Sequence, residues 1–529
     1  MTRQRCLSAL LGLSLLASPA AAHFPWLVKD QSGRALLYFS ESLDERDYHL
    51  PDAVREAAVF ALDGGDATAL DTTEVDEESL LARRSPTSVA PGAGLHTQIV
   101  YGIYHGTRLV YYAQHDPAVG PKPQPRNVDQ LPFSAQLASG GEGSLAATVH
   151  WRGEPLADAE VELLDGEGEV IESAVSDAAG GVTFAAEEIP AGLAALRVGH
   201  TLADEKGEID GKAYKSSTHY LTATFHMSDL PELPTPIASF GAAVGDGWLY
   251  VYGGHTGTAH QHSAENHSQH FRRIRLDDAA TWETLPMGQP LQGLALVAHG
   301  GMVYRVGGMN ARNEAGDDED MHSSNRFARF DPAKGAWQEL PPLPERRSSH
   351  DAVVIGDRLY VVGGWTLTGD SDGEWIDAAY SCDLTQPTPT WQPIAKPPFR
   401  RRAIAAAHLD GKLVVLGGMS EEAKVSGAVF AYDPETDEWA SLEELPGGGI
   451  SGFGVSAWNH GGALYTSGMQ GVVYLLDSST SSWQEAATMR TPRFFHRLMP
   501  AGEKKLIAVA GASPTSGHVA TSEMISLDK

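Results

Sequence analysis

The sequence predicts an all-β protein: two β-sandwich units of immunoglobulin- or transthyretin-like type, followed by a closed ring of repeated four-stranded sheets. Three observations carry that reading. The chain is rich in turn formers, with 56 Gly and 31 Pro in 529 residues. Its first half alternates apolar and polar residues with period two between turn signals. Its second half repeats itself at roughly 50 residues, the length of a four-stranded unit that cannot bury both of its faces alone.

The first element is a targeting segment. Arg3 and Arg5 precede the apolar run 7–17, and Ser18-Pro19-Ala20-Ala21-Ala22 supplies a small-residue cleavage site. Residues 1–22 therefore read as a signal peptide and the protein as periplasmic or secreted. The run is shorter than the roughly 20 residues that span a bilayer, so no integral membrane segment is expected after cleavage. Cys6 leaves with the signal, and Cys382 remains without a disulfide partner. Cleavage would make His23 the N-terminal residue, whose α-amine and δ nitrogen can together chelate one metal ion.

Residues 23–115 carry strand-like runs at 24–28, 35–39, 57–62, 97–104 and 109–113 and read as the first sandwich. Pro117, Pro121, Pro123, Pro125 and Pro132 mark a linker over 116–132. Residues 133–226 form the second sandwich. There Gly153-x-Pro155-Leu156-x-x-Ala159-x-Val161, then Asp177-x-x-Gly180-x-Val182-x-Phe184, resembles the carboxypeptidase-regulatory-like sandwich, which implies a spacer or binding module. Residues 23–226 as a whole also resemble the extracytoplasmic domains of unknown function found with nickel and cobalt uptake systems. The matching elements are His23-Phe24-Pro25-Trp26-Leu27, Glu205 to Tyr214, and Thr218-His219-Tyr220. That resemblance implies a periplasmic β domain handling a transition metal, with His105, His115, His200 and His219 able to converge on His23. The chain departs from the pattern in carrying a single His at its start.

From about Thr235 an apolar strand ending in two glycines recurs at Gly253-Gly254, Gly307-Gly308, Gly363-Gly364 and Gly417-Gly418, with weaker copies at Ser467-Gly468 and Ala510-Gly511. Trp282, Trp337, Trp391, Trp439 and Trp483 follow the pairs at spacings of 55, 54, 48 and 44. This pattern resembles the kelch β-propeller family and implies six blades over residues 235–529, the last lacking its outer strand. The missing strand could come from the N-terminal side, where 217–226 either supplies it or closes the preceding sandwich; residues 217–225 are assigned to the sandwich, with the closing strand short or shared.

One register of the repeat aligns Phe240, Leu294, His350 and Ile404 with His496, and a second, three residues earlier, aligns Arg347, Arg401 and Arg493. Arg346, Arg400, Arg402 and Arg497 lie nearby. With Lys+Arg 39 against Asp+Glu 68 and a net charge of −29, the chain repels phosphate backbones, which excludes a general nucleic-acid binder. A cationic channel mouth in such a chain would focus an anionic glycan or protein ligand, with Arg347, Arg401, Arg493, His350 and His496 as its contacts. The loop after Gly254 carries His255, His260, His262, His267 and His270. With His23 and His105, its His260, His262 and His267 are the candidate ligands for copper, nickel or zinc.

The sequence shows no phosphate-binding glycine loop, no His-Glu-x-x-His and no Gly-x-Ser-x-Gly. Binding is therefore the expected role. Kelch propellers include copper radical oxidases and sialic-acid mutarotases, and the second resemblance keeps a sugar-modifying enzyme as the alternative, with His350 or His496 transferring a proton.

Overall fold

The computed structural model describes residues 23–527 apart from 31–32, 64–65, 78, 91, 121–122, 124–130, 141–142, 191, 278–280, 371–372, 478–481 and 515–516. Residues 1–22, expected to be a signal peptide, lie outside the described residues, as does most of the predicted linker. The regular structure of the described chain is almost all strand, joined by turns and loops, and none of its helices is long and apolar enough to cross a membrane.

The two predicted sandwiches are one three-layered body. Its middle layer is an eight-stranded sheet that takes strands from both predicted units. The joining contact is the parallel pairing of Ser216–Met227 with Thr107–Val119, so the latter strand runs straight through the expected boundary at 115. Alternation along these strands feeds two cores. Tyr111, Ala113 and Ala195 face the sheet built on Phe24–Lys29 and Ala35–Ser40, while Val110, Tyr112, Leu196 and Leu221 face the sheet built on Phe133–Ser139 and Leu145–Trp151. Period-two patterning with both faces apolar is what a sheet covered on each side requires. Two expected sandwiches thus correct to three layers, because the last strand returns to the sheet centre and not to an edge.

From residue 237, among the described residues, six sheets follow in order around the ring, five of four strands and a last one of three, Arg497–Pro500, Lys505–Ser513 and Gly517–Ser526, while the loops between strands add three small sheets of two or three strands. Their innermost strands begin at Gly241, Ala295, Asp351, Ala405, Ser456 and Arg497, and each touches the next, the last touching the first. The turn just before those strands explains the closure. Ser239, Gly293, Ser349, Ala403, Gly454 and Phe495 all take φ between 50° and 61°. Each N–H then donates to the carbonyl of the equivalent residue in the preceding sheet, from Gly293 to Ser239 at 2.6 Å round to Ser239 onto Phe495 at 3.2 Å. These six bonds form a closed circle around the channel mouth.

The paired glycines are required by the same geometry. Gly364 sits at φ 92°, and a Cβ there would lie 2.6 Å from Ser348 O and 2.9 Å from His350 Cβ. The N–H freed by this close approach donates to Arg401 O in the next sheet at 2.8 Å, and the last copy, Gly511, donates to Ile237 O of the first sheet at 2.9 Å.

The missing outer strand of the sixth sheet comes from the N-terminal side. Leu233 N–H donates to Ala520 O, Asp229 N–H to Ser522 O, and the Asp229 carboxylate takes the N–H of Met524 and the guanidinium of Arg490. Segment 228–233 thus lies along the open edge, while 217–225 stays in the sandwich, as the sequence predicts. The tryptophans show the equivalence. Trp337, Trp391, Trp439 and Trp483 donate Nε1–H to Pro286, Pro341, Ala395 and Glu443, each the residue after the preceding sheet's outer strand, and Trp282 donates likewise to Pro231 at 2.7 Å. Trp282→Phe should therefore lower stability by about 1 kcal/mol through loss of one latch hydrogen bond. A urea unfolding curve checks it, and an unchanged midpoint would contradict the latch.

Candidate functional site

The loops that lead into the innermost strands pair with the loops that follow the glycine pairs, Ala238 with His255, Gln292 with Met309, Ser348 with Trp365, Arg402 with Met419 and Phe494 with Ala512. Both loop sets therefore share one face of the ring and surround the mouth of the channel. The three arginines expected to line that mouth are inside the wall. Arg347, Arg401 and Arg493 are 0%, 4% and 1% exposed.

Each of the three ties together the carbonyls at the turn of its own sheet. Arg347 donates to Gly363 O and Ala378 O, Arg401 to Gly417 O and Ala428 O, and Arg493 to Ala510 O and Thr521 O. Burial lowers the Arg347 and Arg401 guanidinium groups to about 10. Their repeat in register is a structural signal: the second-to-third strand turn leaves two carbonyls that water cannot reach, and the guanidinium fork satisfies both. The expectation that they contact ligand is corrected accordingly.

His350 and His496 are also removed from the face, at 3% and 2% exposure. His496 Nε2 meets Ser467 Oγ at 2.8 Å, and neither ring nitrogen of His350 has a hydrogen-bond partner. Burial, reinforced by Arg493 and Arg497, pulls His496 down to about 3, and burial with Arg347 and Arg497 drives His350 well below the usual range. Both rings are neutral packing groups beneath the hydrogen-bonded circle. One step further in, Arg497 and Asp351 meet across the channel at 3.0 Å, joining the sixth sheet to the opposite third. Arg497 also donates to Phe240 O and Leu294 O, and Asp351 accepts from Ala406 N–H.

Arg402 lies on the face with its surroundings. Its guanidinium lies 4.3 Å from the Trp365 ring centroid and 5.8 Å from that of Trp375, and the two indoles sit 5.7 Å apart. Its Nη2 rests on Met419 Sδ at 3.5 Å, its Nε is unpartnered, and among the described residues no carboxylate pairs with it. Burial alone lowers its pKa. The indole Nε1–H of Trp365 is likewise buried without a partner. Phe453, Phe494 and Phe495 form an aromatic group on the wall beyond, with centroids 5.0 to 6.2 Å apart. An open cleft of about 620 Å³ lies on the fourth sheet's flank, lined by Phe399, Phe430, Arg400 and Lys424 opposite Glu421 and Glu422.

The candidate metal ligands are not brought together. His23 packs against Tyr48 with ring centroids 3.8 Å apart and faces Glu41, and His105 occupies the hairpin turn beside Tyr104. His115 bonds Thr224, His200 packs on Trp151, and His219 sits in a chain from Tyr112 through its ring to Ser217 and on to Glu205. None of these points to His23. In the loop, His260 is exposed, His262 Nδ1 takes a hydrogen bond from Gln292, and His267 is held between Ser263 O and the N–H of Ala311. Among the described residues no three His, Cys, Asp or Glu side chains are grouped to hold a metal ion. Cys382 is a fully buried strand residue whose thiol burial pushes up to about 12, so it is inert. Trp365 and Trp375 escaped the sequence reading because no register marks them, although Trp365 directly follows a glycine pair.

Known proteins resemble the ring region. The KLHDC2/KLHL20/DRC7 Kelch-repeats domain matches residues 293–511. Alpha-scruin of Limulus polyphemus is 24% identical over 240 residues, covering 43% of this chain and 25% of that protein. Kelch-like protein terF of Aspergillus terreus is 28% identical over 228 residues, covering 40% and 48%, and Kelch-like protein 15 of Danio rerio is 27% identical over 225, covering 39% and 36%. The chain thus spans less than half the length of these relatives. A solved structure, "Structure of YjhT", covers 57% of this chain and 97% of its own at 15% identity and a TM-score of 0.46. Kelch repeats build the C-terminal region of this chain.

Proposed function

We propose that the protein is an extracytoplasmic binding protein whose kelch ring holds an acidic glycan on its loop face. A carboxylate would sit on Arg402, with a sugar ring against Trp365 and Trp375. The observation that supports it is the missing counter-charge. In a chain of net charge −29, a half-buried guanidinium with no carboxylate beside it carries a desolvation cost that a bound anion would offset. Arginine's fork suits a carboxylate, and indole faces suit the apolar face of a sugar. The buried His350 and His496 offer no accessible proton donor, so the reading is binding and not sugar modification.

A glycan array probed with the full protein tests this. Acidic oligosaccharides should be retained over neutral ones. Arg402→Glu should abolish retention, and Trp365→Ala should weaken it by about tenfold or more. Retention of acidic peptides without acidic glycans would overturn the glycan reading.

A further inference from the structure

We propose that His255 and His518 form a transition-metal site at the seam where the first and sixth sheets close the ring. His255 follows the first glycine pair, and His518 lies near the start of the last strand. His255 Nδ1 and His518 Nε2 are 3.4 Å apart. Two nitrogens bound to one tetrahedral ion, with bonds of about 2.0–2.1 Å, lie about 3.3 Å apart. A well-formed hydrogen bond would bring the pair to roughly 2.7–3.2 Å instead.

The tautomer of His255 suits coordination. His255 Nε2 lies 3.0 Å from Gln261 O and can only donate to it, which puts the proton on Nε2 and leaves a lone pair on Nδ1 facing His518. This is how a metal-ligating histidine is oriented by the carbonyl behind it. His518 Nδ1 is buried without a partner. Coordination asks His518 to carry its proton on that Nδ1, so that both facing nitrogens offer a lone pair to the cation between them.

Charge in the surroundings does not compete. The groups facing the pair are His262, whose ring lies 4.8 Å from that of His255, together with His260 and His267. A metal takes the neutral imidazole, the ordinary form of a histidine near pH 7. His262 and His518 are only half-buried, which gives an ion a path from the loop face. With two protein nitrogens, the remaining positions fall to water or a bound ligand, and imidazole donors select zinc, copper or nickel.

Calorimetric titration of the full protein with Zn²⁺ tests the site, with Cu²⁺ electron paramagnetic resonance as the second readout. About one equivalent should bind, and His255→Ala and His518→Ala should each weaken it by about tenfold or more, whereas His260→Ala and His23→Ala should leave it unchanged. The copper spectrum should show coupling to two imidazole nitrogens, falling to one in His518→Ala. Because His255 is buried and its variant is at risk of misfolding, the half-buried His518 carries the decision, with a thermal melt confirming its fold. Absence of Zn²⁺ binding, binding undiminished in His518→Ala, or binding lost in His23→Ala would overturn the proposal.

Discussion

Arg497→Met should destabilise the protein by about 3–5 kcal/mol, the cost of leaving a buried carboxylate without its partner. Asp351 is 5% exposed, and it also accepts from the N–H of Ala406. Phe240 O and Leu294 O would also lose their donor. The loss is large because one side chain spans the channel and touches three other sheets. Replacing both partners, as Asp351→Ala with Arg497→Met, should recover much of the stability, since no charge is then stranded. Urea unfolding of the three variants measures it. A single variant within about 1 kcal/mol of the parent would show that the pair does not hold the ring together.

Stability should fall steeply as pH drops from about 6.5 to 4. His219 and His496 are 3% and 2% exposed and are lowered to about 4 and about 3, each mainly by burial. An unfolded chain takes up these protons near pH 6.5 while the folded chain refuses them, so each fully buried ring costs about 1.4 kcal/mol per pH unit within that window. The penalty is absent above 6.5 and complete below the folded values. His262 and His518, both lowered to about 4, add a smaller share because they are only half-buried. Glu232 acts oppositely: burial raises it to about 7, so its contribution is present at low pH and fades as pH rises. The histidines outweigh it, giving a loss on the order of 5 kcal/mol across the window. Thermal melts at successive pH values check this, and His496→Gln should flatten the curve. Constant stability from pH 6.5 to 4 would contradict it.

The ring was legible because its constraints act on single residues. A Cβ at Gly364 has no room beside Ser348 and His350, and each Trp needs a carbonyl one sheet away, so glycine pairs and tryptophans repeat in the sequence. The sandwich boundary was illegible for the opposite reason. Alternation along 107–119 and 216–227 gives each strand's faces but not its neighbour, and nothing local announces a parallel pairing across more than 100 residues. The arginines show the limit most clearly. Arg401 and Arg402 are adjacent, yet one turns inward to Gly417 O while the other reaches across to Trp365 of the preceding sheet. Recurrence marked Arg347, Arg401 and Arg493 because the fold needs them. Arg402 does not recur, and its lack of a carboxylate neighbour, on which the proposed ligand contact rests, is visible only in the fold.

Titration with trigalacturonate and its methyl ester tests the central claim most directly, because esterification removes the charge and keeps the sugar rings. The account predicts that the acid binds about tenfold or more tightly than the ester, that Arg402→Gln abolishes this preference, and that Arg400→Gln preserves it. Equal binding of acid and ester, or an undiminished preference in Arg402→Gln, would contradict it.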